Sequence, residues 1–150
     1  MRGSRGLSAS VTDVTKRVLI VDDEPLLIAV LREIFARFQH GHAYEITPAH
    51  TVADAYDLLL REQFDLILLD MVVPRIGDPW PWLQGLDLLR RVRLLGVKAP
   101  IFMMTGVRNT EKEAEALIEG AAGYLHKPFD LRELSRLVTL ALGCGPAPGA

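Results

Sequence analysis

Cysteine is nearly missing from this sequence: Cys144 is the only one in 150 residues, so no disulfide within the chain is available. A lone thiol fits a reducing compartment, and the cytoplasm is the expected location. No apolar run approaches the roughly 20 residues needed to cross a bilayer, so a membrane protein is not expected. The opening residues carry positive charge with no apolar stretch behind them, which argues against a secretory signal. Charge of one sign is not in excess either: 17 Lys and Arg against 19 Asp and Glu leave a formal net charge of −2. No global field therefore draws the chain to nucleic acid or to an anionic membrane. No basic recognition helix stands out, and direct nucleic-acid binding is not expected. Internal repeats are also lacking.

What remains is the composition of an ordinary folded protein, 49% apolar and 24% charged, with a length suited to one domain and its core. Residues 1–16 are rich in Ser, Thr, Gly and Arg and read as a flexible arm. Residues 143–150, rich in Gly, Pro and Ala, read as a tail or linker stub, too short for an output domain. Between them, over 17–142, a repeating rhythm runs. Arg17–Val21 is a buried strand, and Pro25 opens a helix carrying Leu26, Leu27, Val30, Leu31, Ile34, Phe35 and Phe38. Tyr44–Thr47 is a second strand, placed on a sheet edge by Pro48, and Thr51 caps a helix to Arg61. Phe64–Leu69 runs into Asp70, and Leu86–Leu95 is helical. Pro100–Met104 leads to Thr105, residues 110–119 form a charged helix ended by Gly120, and Gly123–Leu125 precedes a last helix over Leu131–Leu142. Five strands alternating with five helices predict an α/β fold with a parallel sheet and right-handed crossovers.

In such a sheet ligands bind beyond the carboxyl ends of the strands. Asp22 and Asp23 follow the first strand, Asp70 ends the third, Thr105 follows the fourth and Lys127 lies past the fifth. Each has an ordinary reading alone: Asp23 a helix cap, Thr105 a turn hydroxyl, Lys127 a solvated charge. All five on one edge are harder to explain as structure. Three carboxylates repel one another, which favours a bound cation or a shared proton. An all-oxygen donor set suits Mg²⁺ or Mn²⁺ rather than zinc.

Residues 18–25 (Val-Leu-Ile-Val-Asp-Asp-Glu-Pro), 66–74 (Leu-Ile-Leu-Leu-Asp-Met-Val-Val-Pro), 103–106 (Met-Met-Thr-Gly) and 120–129 (Gly-Ala-Ala-Gly-Tyr-Leu-His-Lys-Pro-Phe) together resemble the receiver domains of two-component response regulators. The resemblance runs from about Arg17 to Leu142. It implies a flavodoxin-like five-stranded parallel sheet in the order 2-1-3-4-5, with Asp70 as phosphoacceptor. It implies a divalent metal on Asp23, Asp70 and the backbone carbonyl of Val72, with Asp22 acting through a water. Lys127 and Thr105 would contact the phosphoryl group, Tyr124 would turn inward on activation, and Lys127-Pro128 is a candidate cis bond. The donor would be a histidine kinase or a histidine phosphotransfer protein, with a downstream effector that the residues do not name. A phosphorylation-dependent homodimer is left open. On this reading the chain is a switch that catalyses its own phosphorylation and dephosphorylation, not an enzyme in the ordinary sense.

The family's glycine ahead of the third helix is displaced to Gly85, which implies an insertion within 77–84. Its Trp80 and Trp82 either pack locally or form a semi-rigid element that helps select the partner. His40, His42, His50 and His126 are expected at the surface, with His126 pointing away from the side of Lys127. Two competing readings are a phosphorylation-independent binding module and a flavodoxin-like nucleotide binder. The intact acid set argues against the first. Asp-Asp-Glu-Pro in place of a glycine-rich phosphate loop argues against the second.

Overall fold

A computed structural model describes residues 14–72, 83–106 and 109–143 of the chain. The elements run β1 (Thr15–Val21), α1 (Pro25–Arg37), β2 (Ala43–Ala49), α2 (Val52–Arg61), β3 (Leu66–Asp70), α3 (Leu83–Leu94), β4 (Ile101–Thr105), α4 (Thr110–Ile118), β5 (Gly123–His126) and α5 (Leu131–Leu142). The five strands form one parallel sheet in the order β2-β1-β3-β4-β5, as expected.

Side chains alternate across a strand, so each central strand feeds two cores. Val18, Ile20, Leu66 and Leu68 point to one face, where Ile28, Leu31 and Phe35 of α1 meet Leu134 and Val138 of α5. Leu19, Val21, Ile67 and Leu69 point to the other, where α2, α3 and α4 pack. Being covered on both sides is why β3 and β4 are buried at every residue.

Caps set the helix starts. The Thr51 hydroxyl accepts the Asp54 N–H at 3.0 Å, Asn109 Oδ1 accepts the Lys112 N–H at 3.1 Å, and Asp130 Oδ1 accepts from Arg132 and Glu133. Past α4, Gly120 takes φ +109°, the left-handed turn that stops the helix.

Several boundaries differ from the sequence reading. β1 begins at Thr15, because Thr15 and Lys16 pair with Ala43 and Tyr44 although neither is apolar. β2 reaches Ala49 through Pro48, which an edge strand tolerates. α3 starts at Leu83, ahead of the expected Leu86. The α1 stripe is also corrected. Its buried residues are Ile28, Leu31 and Phe35, while Leu26 is 77% exposed and Val30 46%.

Candidate phosphoacceptor site

In a parallel sheet every strand ends at the same edge, and the register brings Val21, Asp70 and Thr105 to neighbouring positions there. Asp22, Asp70 and Thr105 are buried, whereas Asp23 is exposed. Carboxylate oxygens of Asp22, Asp23 and Asp70 all lie within 4.8 Å of one another.

Backbone donors hold the acids. Asp22 Oδ1 accepts the Glu24 N–H at 2.8 Å, and Asp70 Oδ1 accepts the Val72 N–H at 3.1 Å. The Lys127 ammonium spans the remaining oxygens, donating to Asp22 Oδ2 at 2.9 Å and to Asp70 Oδ2 at 3.3 Å. Lys127 is itself fixed by its N–H to the Thr105 carbonyl at 2.8 Å, and the following Lys127–Pro128 peptide is cis.

One ammonium among three carboxylates leaves the cluster short of positive charge. Burial pushes the Asp70 carboxyl up to about 7; the Asp22 charge adds to this, while the Val72 N–H and Lys127 oppose it. Burial alone would lower Lys127, but the hydrogen bond to Asp22 and the charges of Asp70 and Asp22 outweigh it and hold the ammonium above its ordinary value. A divalent cation at these acids would oppose both shifts, by favouring the ionised carboxyl and repelling the ammonium. The donor set, carboxylate oxygens with no thiolate or imidazole among them, fits Mg²⁺ or Mn²⁺.

Beside Thr105 lies a cavity of about 180 Å³ lined by Met71, Val72, Thr105, Asn109, Lys112, Glu113 and Tyr124. The half-buried Tyr124 closes it, with its hydroxyl 3.2 Å from the Lys112 carbonyl and 3.4 Å from Met71 Sδ. Burial, with help from Glu113 and Glu115, pushes that phenol up to about 12. Space therefore exists between the predicted phosphoryl contact and the predicted switch aromatic.

A second feature escaped sequence reading. An apolar groove of about 600 Å³ runs from Lys127 and Gly106 between α1 and α5, past Leu27, Ile34, Phe129 and Leu131. Its signal was present as the excess width of the apolar stripe on α1, since one helix face cannot bury seven such residues.

Gly85, in the first turns of α3, packs against the end of β3, with its N–H donating to the Met71 carbonyl at 3.2 Å. Trp80 and Trp82 lie outside the described residues. The histidine expectation needs correction. His40 is buried, with Nδ1 2.6 Å from the Tyr44 hydroxyl and Nε2 2.9 Å from Ser135 Oγ. The loop after α1 folds it against Phe38, an arrangement invisible to local polarity. His50 is exposed but touches the site, with Nδ1 3.2 Å from the Asp22 carbonyl. His126 does face away from Lys127, toward Glu113 at 3.2 Å.

The family model for the response regulator receiver domain matches residues 18–139. The chain is 32% identical over 118 residues to response regulator MprA of Mycobacterium avium, covering 79% of this chain and 47% of that protein. It is 35% identical over 127 residues to response regulator protein PilR of Pseudomonas aeruginosa, covering 85% of this chain and 26% of that one. The chain thus spans about half or less of these relatives. Among solved structures, a CheY-like receiver domain protein from Methanospirillum hungatei superposes with a TM-score of 0.72 at 28% identity, covering 87% of this chain and 95% of that one. A two-component response regulator of the LuxR family from Aurantimonas gives 0.72 at 26% identity, covering 90% and 91%. These matches correct one expectation. The sequence alone reads as a switch and not an enzyme in the ordinary sense, but receiver domains are autophosphorylating phosphoacceptors, so the family supports a signalling role without that exclusion.

Proposed function

This chain belongs to the response regulator receiver family, and from that premise we propose that Asp70 takes a phosphoryl group from a phosphohistidine donor. The observation that carries the assignment is Lys127 bridging Asp22 and Asp70, residues distant in sequence, at one sheet edge. A structural lysine has no need of two buried carboxylates, whereas a phosphoryl site needs a fixed cation beside the nucleophile.

Asp70 supplies the attacking oxygen, and an acyl phosphate divides the transfer into two easier steps. Asp23, Asp70 and the Val72 carbonyl would hold Mg²⁺ (or Mn²⁺), with Asp22 acting through a water and helping to orient the ion. That ion, when bound, neutralises charge on the phosphoryl oxygens. Lys127 would pair with a phosphoryl oxygen as a point charge and Thr105 would donate its hydroxyl. Movement of Thr105 toward the phosphoryl group would open the neighbouring cavity to Tyr124 and alter the face made by α4, β5 and α5.

The donor would be a histidine kinase or phosphotransfer protein that seats an apolar helix ridge in the groove between α1 and α5, which leads directly to Lys127. The unit doing this would span 15–142, because Thr15 and Lys16, expected in the N-terminal arm, pair with β2. No helix among the described residues is long and apolar enough to cross a membrane, and we place the chain in the cytoplasm. The phosphorylation-independent module is not favoured, because the site keeps its acids, hydroxyl and lysine together.

The test is intact mass after incubation with Mg²⁺ and acetyl phosphate, or with a histidine-phosphorylated protein, for wild type and Asp70→Asn. A gain of one phosphoryl group that needs both the metal and Asp70 is expected. A wild-type protein that gains no mass from either donor would overturn the reading.

A further inference from the structure

Glu24 stands where a helix cap belongs but does not cap. It precedes α1 with φ −97° and ψ 104°, and its side chain makes no hydrogen bond to the first turn. Its carboxylate turns instead to the Lys127 ammonium, 3.6 Å away. Lys127 therefore has three claimants. Asp22 and Asp70 are buried members of the phosphoacceptor site, but the Glu24 side chain is 63% exposed and sits where the site opens into the apolar groove.

We infer that Glu24 is a specificity-determining residue, an anionic gate that favours phosphodonors of low negative charge, such as a phosphorus–nitrogen donor, over doubly charged acyl phosphates. The inference rests on the reading of Asp70 as phosphoacceptor. Two effects act in the same direction. An incoming dianion meets the Glu24 charge well within the Debye length of about 8 Å at physiological salt. It must also draw Lys127 away from Glu24 before that ammonium can serve a phosphoryl oxygen. A donor of lower charge pays less on both counts, and a protein donor gains apolar contact along the groove that a small molecule does not.

Glu24 makes and breaks no bond. An Asp70 oxygen attacks phosphorus, a new phosphorus–oxygen bond forms, and the bond to the leaving group breaks. Acetate leaves acetyl phosphate, or ammonia leaves phosphoramidate protonated on nitrogen, each with the electron pair of the broken bond.

The experiment compares initial phosphorylation rates of the full chain with Mg²⁺ and either acetyl phosphate or phosphoramidate, for wild type, Glu24→Gln and Glu24→Asp. Exposed ion pairs of this kind are typically worth a factor of about two to five. Glu24→Gln should raise the second-order rate constant for acetyl phosphate by about that factor and change the constant for phosphoramidate less. The gain should shrink as salt is raised, and Glu24→Asp should keep the wild-type preference. A role confined to starting α1 would shift both donors alike and ignore salt, so an unchanged donor ratio with a normal melting curve overturns the gate. A wild-type chain that takes phosphoryl from no donor would instead sink the Asp70 reading, and the gate with it.

Discussion

A side chain at Gly85 has no room beside Asp70: a Cβ there would stand 2.6 Å from the Asp70 carbonyl oxygen and 2.7 Å from the Met71 Cα. Helix α3 presses its backbone onto the end of β3, and the neighbouring atoms are backbone that cannot swing aside. Gly85→Ala should therefore destabilise the fold by about 2–3 kcal/mol, the upper range for overpacking. Because the strain falls on Asp70 and Met71, the phosphorylation rate should drop as well. Chemical denaturation and acetyl phosphate kinetics check both; a variant with wild-type stability would show that α3 simply moves outward.

The raised Asp70 carboxyl makes a claim about stability. Below the unfolded value near 3.8 both states hold the proton and no difference arises. Between 3.8 and about 7 the unfolded chain releases the proton while the folded one keeps it, so the metal-free protein loses stability as pH rises, by a few kcal/mol in all. Asp70→Asn should raise the melting temperature of the metal-free protein at pH 7.5 and do little at pH 4. Equal effects at the two pH values would contradict the shift.

The same carboxyl must be ionised to attack phosphorus. At limiting Mg²⁺ the phosphorylation rate should climb with pH through the neighbourhood of 7. Added Mg²⁺ should move that rise to lower pH, because a cation at the acids favours the ionised form. A rise whose midpoint ignores Mg²⁺ would place the metal away from Asp70.

Lys127→Ala removes the cation from between Asp22 and Asp70. Phosphorylation should fall at least tenfold, the scale of losing one charge-stabilising contact. The metal-free fold should lose about 3 kcal/mol, the lower end for breaking a buried pair, since the lysine side chain keeps 20% exposure. Added Mg²⁺ should restore part of the stability but little of the rate, which separates the two roles.

The groove between α1 and α5 predicts a split between donors. Leu26 and Leu131 line it and are 77% and 54% exposed, so replacing either by the uncharged Asn should leave the fold intact and add no charge beside Lys127. Acetyl phosphate should react nearly as before, while transfer from a histidine-phosphorylated protein should slow roughly tenfold or more, the value of one buried leucine contact. Parallel losses with both donors would mean that the groove is not a docking surface.

Much of this molecule is written locally. Alternating β-branched runs and helical spacings specify five strands and five helices, and the rule that parallel strands end at one edge already gathers Asp22, Asp23, Asp70, Thr105 and Lys127. Other features depend on packing. Whether Leu26 or Ile28 faces the core turns on how α1 is rolled against Phe35 and α5, since an apolar stripe that wide leaves several rotations equally apolar. His40 is buried because a loop folds it onto Tyr44 and Ser135, the latter 95 positions away, and no short window contains both partners. The Glu24 carboxylate reaches Lys127 only because β5 ends at the same sheet edge as β1, and the Asp70 carboxyl is pushed up only because the packed sheet edge buries it, against the pull of Lys127. Residue types and their period thus determined which groups meet at the sheet edge. Only tertiary structure decided how they share charge there, because electrostatic strength depends on distance and burial, which the order of residues along the chain does not contain.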